Sequence, residues 1–221
     1  MRLLTRQIRQ ALPNWVYKSL LALRYTGFRK CCDGPELSKI LYSDGSWVRR
    51  ETTPDLARIE KLLLKSIKDN FPSILQVGIG NSNLFTSIGN KSSRFTGITI
   101  VEDEVEHSKR EFPNEFGKQY DVRLMNKYSS EFLTIQGGFD YIIDNNISSY
   151  ACCKHHFEAL LRNYRNLLNH NGVILIGIDG VRYFDSGFGL TEKMLSRVVL
   201  RQGLCFERGE KTHILYPDTM L

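Results

Sequence analysis

Apolar positions along this chain repeat with two periods that alternate from one segment to the next. Leu56, Ile59, Leu62, Leu63 and Ile67 recur every three to four residues, the stripe of an amphipathic helix. Thr53 and Pro54 stand just before it, a hydroxyl suited to capping and a proline suited to the first helical position, while Asn70 and Pro72 stop it. From there short apolar runs alternate with helical patterns. Strands are predicted at 73–78, 94–101, 120–125, 139–144 and 172–178, and helices near 82–89, 102–112, 152–169 and 190–201. The last two apolar runs, Leu204-Cys205-Phe206 and Thr212-His213-Ile214-Leu215-Tyr216, flank Arg208-Gly209-Glu210 and read as a β-hairpin. The pattern predicts an α/β fold, a doubly wound and mostly parallel sheet of seven strands closed by a C-terminal antiparallel hairpin.

The first 53 residues have another character. Leu3, Leu4, Ile8, Leu12, Trp15, Val16, Leu20, Leu21 and Leu23 are interleaved with arginines and lysines, and Pro13 divides the run into two helical pieces. Turn dipeptides at Asp33-Gly34-Pro35 and Asp44-Gly45 mark the rest as loop. This organisation predicts a basic amphipathic arm and loop over 1–53, followed by one domain over 54–221. Three readings of the arm stay open: a cap packed on the domain, a contact with an anionic membrane surface, or an organellar transit peptide.

Charge sharpens this division. Of the net +6, residues 1–50 supply +7, from ten Lys/Arg against three acids, which leaves −1 for the remainder. A near-neutral domain argues against a nucleic-acid partner. No run of 18 apolar residues occurs, so no membrane-spanning helix is expected. Cys31-Cys32, Cys152-Cys153 and Cys205 form neither a zinc spacing nor an even disulfide set, which predicts reduced thiols in a cytoplasmic protein, at a membrane surface if the arm is a membrane contact.

The first predicted strand runs into Gln76-Val77-Gly78-Ile79-Gly80-Asn81-Ser82-Asn83. A Gly-x-Gly turn at a strand end lets backbone approach a ligand closely. Asn83 occupies the place of the third glycine of a dinucleotide fingerprint, which speaks against NAD or FAD. Asp144-Asn145-Asn146-Ile147-Ser148-Ser149-Tyr150 follows the fourth strand, and ligands of doubly wound sheets sit beyond the carboxyl ends of the strands. Asp140, at the start of that strand, is read as structural. The loop after the fifth strand carries Arg182 and Tyr183, both suited to an acidic or sugar-containing substrate.

Together these segments resemble the class I S-adenosylmethionine-dependent methyltransferases over roughly residues 55–221. The glycine-rich turn, Thr96-Gly97-Ile98-Thr99-Ile100, Phe139-Asp140-Tyr141-Ile142-Ile143-Asp144 and Leu167-Leu168-Asn169-His170-Asn171-Gly172-Val173-Ile174-Leu175 carry the resemblance. It implies S-adenosylmethionine as cofactor, held by Gln76, Gly78, Gly80, Asn81, Ser82, Thr99, Glu102, Asn126 and Asp144. Gln76 and Thr99 stand where the family usually has carboxylates, with Glu102 one turn later as the replacement at the ribose. The implied activity is methyl transfer to a hydroxyl of a small molecule or glycan. A hydroxyl acceptor must lose a proton, so Asp144 and His155 are assigned as candidate bases and Asn145, Asn146, Arg182 and Tyr183 as substrate contacts. No metal is expected, since the second carboxylate of a cation-binding strand end is here Asn145. The alternative is a scaffold or regulatory protein that keeps this fold without catalysis.

Overall fold

The computed structural model describes residues 47–67, 71–151, 153–181, 190–210 and 212–218. Most of the arm, Cys31, Cys32, Cys152, Arg182 and Tyr183 lie outside the described residues.

Thr53 and Pro54 open helix α1 (Pro54–Ser66), and the Thr53 hydroxyl accepts from Leu56 N at 3.4 Å. Its apolar face buries Ile59 and Leu63 completely. Strands β1 (Ser73–Val77), β2 (Arg94–Thr99), β3 (Tyr120–Leu124), β4 (Phe139–Asp144), β5 (Leu168–Gly177), β6 (Leu204–Glu207) and β7 (Thr212–Pro217) form one seven-stranded sheet in the order β3-β2-β1-β4-β5-β7-β6. The first five are mutually parallel where they pair, and β7 runs antiparallel between β5 and β6.

Adjacent residues on a strand face opposite sides, and both sides here are covered. Ile74, Phe95, Ile143 and Leu175 join one buried cluster with Ile59 and Leu63 of α1 and with helix α2 (Asn83–Ile88). Leu75, Ile98, Ile142 and Ile174 join another with Leu160 and Leu161 of helix α4 (Lys154–Leu167) and Val198 of helix α6 (Glu192–Arg201). Helix α3 (Glu102–Glu111) buries Val105 and Ser108 beside β2 and β3.

Several boundaries differ from the pattern-based ones. Strand β5 begins at Leu168, paired with Phe139, and its register shifts before Val173 meets Tyr141. Asn169, His170 and Asn171 are exposed there, so the apolar signal starts only at Val173. A Cβ on Gly172 would come within 2.5 Å of Phe139 O, which ties that glycine to the close strand approach. Beyond β5 the predicted loop opens with a helical turn, α5 (Ile178–Val181). Asp140 accepts from Ser73 N at 2.8 Å and from Asn169 Nδ2 at 2.7 Å, fastening β1 and β5 at the edge remote from the strand ends discussed below.

Candidate functional site

Just past β1, Gly78 and Gly80 take φ of +79° and +55°, and a Cβ on either would meet open space. The bare backbone therefore faces a cleft of about 180 Å³. That is more than ten times the roughly 10–15 Å³ one water occupies, so the space is ligand-sized and not a packing defect. It lies at the carboxyl ends of β1, β2 and β4. Of the residues assigned from sequence, Gln76, Gly78, Gly80, Asn81, Thr99, Asn126, Asp144, Asn145 and Asn146 line it together. Apolar walls come from Ile79, Ile98, Val101 and Met125.

Gln76 is 1% exposed; its Nε2 donates to Gly78 O at 3.2 Å, while its Oε1 is buried without a hydrogen-bond partner among the described residues. A buried acceptor left open at a cleft is costly unless a ligand donor meets it. Asn81 Nδ2 donates to Arg50 O at 2.7 Å, and Asn83 Nδ2 bonds Thr52 Oγ1. These two amides strap residues 50–52 across the turn and bring Trp47, with the Arg50 guanidinium 4.1 Å over its ring, to the cleft wall. Asn126 Oδ1 accepts from Tyr128 N at 2.9 Å and shapes the bend after β3.

Three assigned residues are placed elsewhere. Ser82, at φ +60°, turns its hydroxyl into the core, 2.8 Å from Ser108 Oγ and 2.9 Å from the donating Tyr120 Oη. It anchors the glycine turn to an aromatic cluster in which Phe85 stacks on Tyr120 at 4.0 Å. Burial pushes the Tyr120 phenol up to about 12, so it stays a donor there. Glu102, the first residue of α3, is exposed and off the cleft, because the inward face of that helix begins at its third residue. His155 is likewise exposed on α4 and does not line the cleft.

The carboxylate that helix α3 does bring to the cleft is Glu104. It is 3% exposed, lines the cleft, and its Oε2 accepts from Gly80 N at 3.0 Å and Thr99 Oγ1 at 2.6 Å. Desolvation holds its carboxyl above the usual range, and the bonds from Thr99 and Gly80 oppose that rise. The available sequence signal was a glutamate on the same helix face as the buried Val105 and Ser108.

Asp144 is inside the cleft wall but is not a free base. Its Oδ2 accepts from Lys127 Nζ at 2.8 Å and Tyr164 Oη at 2.7 Å, and its Oδ1 from Asn146 N at 3.2 Å. Burial pushes the Tyr164 phenol well above its ordinary value, and the nearby Asp144 charge adds to this. Burial also lowers Lys127, against the pull of Asp144. Lys127 carried no sequence signal, since it falls in an irregular stretch between a strand and a 3₁₀ turn.

No family model and no curated protein matches the chain. Solved structures do. The N-methyltransferase NodS from Bradyrhizobium japonicum, in complex with S-adenosyl-L-homocysteine, aligns at TM-score 0.57 and 13% identity, over 81% of this chain and 94% of that one. A TehB-like SAM-dependent methyltransferase from Corynebacterium glutamicum aligns at 0.55 and 17%, over 72% and 86%. A SAM-dependent methyltransferase from Bacteroides fragilis, also in complex with S-adenosyl-L-homocysteine, aligns at 0.55 and 18%, over 77% and 80%. At these identities the shared property is architecture: this chain has the fold of the class I S-adenosylmethionine-dependent methyltransferases.

Proposed function

We propose that this chain binds S-adenosylmethionine in the cleft and transfers its methyl group to a hydroxyl of a small molecule or glycan. The observation that carries the reading is the set of groups converging past β1 and β2. Two glycines present bare backbone to open space, Gln76 Oε1 lacks a donor among the described residues, and the Glu104 carboxylate lines the cleft bonded to Gly80 N. An acceptor-rich, anionic cleft with apolar walls suits a cationic ligand bearing an ammonium, a diol and a flat ring. The cofactor supplies a methyl group on a positively charged sulfur, already activated for displacement. Gln76 would accept from the ammonium, Glu104 and Thr99 would hold the diol, and Asn126 with Ile79 and Met125 would receive the ring.

Neutral polar groups, Asn145, Asn146, Ser149 and Tyr150, form the wall beyond. Amides and hydroxyls of this kind bind hydroxyl-rich acceptors without selecting for charge. Arg182 and Tyr183, outside the described residues, remain assigned to substrate. Neither Asp144, whose oxygens are engaged, nor His155, off the cleft, is placed to take the acceptor proton. The transfer rate is therefore expected to rise with pH as the acceptor hydroxyl ionises by itself.

Calorimetric titration with S-adenosylhomocysteine tests the cofactor half: one-to-one binding is expected, weakened about tenfold by Gln76→Leu. No heat up to about 1 mM ligand would retire it. The engaged state of Asp144 favours one competing reading, a scaffold that keeps the cofactor site without turnover. Binding with no methyl transfer to any acceptor tried would support that scaffold. For the basic arm we infer contact with an anionic membrane surface, near which a cytoplasmic enzyme would meet lipid-linked acceptors. Deletion of residues 1–30 should then abolish co-sedimentation with anionic vesicles.

A further inference from the structure

Beneath the acceptor wall lies a polar junction built from three parts of the chain. Lys127 comes from the segment after β3, Asp144 from the end of β4 and Tyr164 from α4. An ammonium has three donors, and all three of Lys127's are engaged: with Asp144 Oδ2 at 2.8 Å, Asn146 O at 2.9 Å and Ile147 O at 3.1 Å. Asp144 accepts three bonds, from Lys127 and Tyr164 at Oδ2 and from Asn146 N at Oδ1. Lys127 is 5% exposed and Asp144 1%.

Burying such a pair costs several kcal/mol of desolvation, and an apolar pair of similar volume is often as stable. Stability alone is thus a weak reason for it. What the junction adds is a grip on backbone. Two of the three Lys127 bonds end on carbonyls of the loop that carries the acceptor wall. Within the loop Ser149 N bonds Asn146 O at 2.9 Å and Ala151 N bonds Ser148 O at 3.4 Å, and the Ser148 hydroxyl reaches Val181 O at 3.5 Å. It also holds Tyr150 at φ +63°, a backbone state that costs about 1–3 kcal/mol in a residue with a Cβ and persists only where neighbours enforce it.

We propose that Lys127 is a positioning residue for the methyl acceptor, its saturated ammonium fixing loop 145–150 in the shape that receives it. This rests on the methyl-transfer reading of the cleft. Lys127 transfers no proton; it sets where Asn145, Asn146 and Tyr150 stand.

Lys127→Met alone would leave Asp144 buried and unpaired and could unfold the protein, so the test uses Lys127→Met with Asp144→Asn. The asparagine keeps an acceptor, Oδ1, for Asn146 N and turns its Nδ2 as a donor to the Tyr164 hydroxyl. Val198→Ala, in the core on α6, serves as a control of lowered stability, with exchange compared at equal distance below each variant's Tm. Amide exchange at residues 146–151 is expected to run at least about tenfold faster in the double variant than in the control. Equal exchange in the two, or faster exchange spread evenly over the sheet, would overturn the proposal. In wild-type protein labelled with ¹⁵N at lysine, a slowly exchanging Lys127 ammonium resonance is expected; its absence at pH 6 and low temperature would also overturn it. Calorimetry with S-adenosylhomocysteine separates the two ideas. If wild type does not bind it, the methyl-transfer reading falls and the acceptor role with it. If wild type binds and loop exchange is unchanged in the double variant, only the Lys127 proposal falls.

Discussion

Glu104 reaches from the first turn of α3 to a backbone N–H of the glycine turn and the hydroxyl of Thr99, and it does so out of water. Its folded-state pKa is raised above the ordinary 4.5 by desolvation. The folded protein therefore binds this proton more readily than the unfolded chain, and the stability associated with it is present at low pH and lost as pH rises above 4.5 through the folded value. Glu104→Gln keeps an acceptor for Gly80 and Thr99 and removes the titration. The stability of wild type minus that of Glu104→Gln should fall as pH increases across that window and then level off, as measured by denaturant melts over pH. At this scale the sequence was partly legible. Gln76, Thr99 and the two glycines stand at strand ends, where position and residue type together point to a cleft. Glu102 and Glu104 differ only in which side of a helix they occupy, and three consecutive acids, Glu102, Asp103 and Glu104, hide that difference. Lys127 was illegible because its partners lie 17 to 20 residues away, across a strand crossover.

Among the elements, the end of β5 and the turn α5 press hardest on the site. A Cβ on Gly180 would fall 1.3 Å from Asn145 O, and one on Gly177 would fall 2.1 Å from Asn145 Oδ1 and 2.5 Å from Asp55 Oδ2. The Gly180 clash is with backbone and is relieved only by moving the loop. Gly180→Ala is expected to cost about 3 kcal/mol in a urea melt, at the upper end for overpacking, with the loop after β4 displaced. Thr53 acts on the same corner from the other side, capping α1 and accepting weakly from Asn145 Nδ2 at 3.5 Å. Thr53→Ala should lose about 1 kcal/mol, the usual value of an N-cap. The start of α1 could be read from Thr53-Pro54 because capping is local chemistry. The start of β5 could not, because Asn169, His170 and Asn171 are exposed edge positions held in the sheet by Phe139 and Asp140. The turn α5 is only four residues long, too short for any period to show.

For the molecule as a whole, the cleft draws on β1, β2 and β4, the middle of a single sheet whose two faces are both buried. A ligand there stabilises the entire cooperative unit. At about 100 times its dissociation constant, S-adenosylhomocysteine should add about 2.7 kcal/mol and raise Tm by roughly 5–10 °C in one transition. A rise confined to one of two separate transitions would contradict the single-unit picture. The alternation of strands and helices made a doubly wound sheet legible, since burial on both faces writes continuous apolar runs such as Ile74-Leu75 and Ile142-Ile143. Strand order is not written that way. The pairing of β7 with β5, for one, has no local signature.

That pairing has a consequence for how the protein is made. Strand β7, the last of the seven in sequence, is wedged between β5 and β6. Until residues 212–217 have been synthesised and have left the ribosome, the edge of β5 along Ile174–Gly177 stays unpaired and apolar. Such an edge is a template for intermolecular strand addition. Nascent chains stalled before residue 212 should therefore be protease-sensitive and prone to aggregate, and the sheet should be completed only once residues 212–217 have emerged.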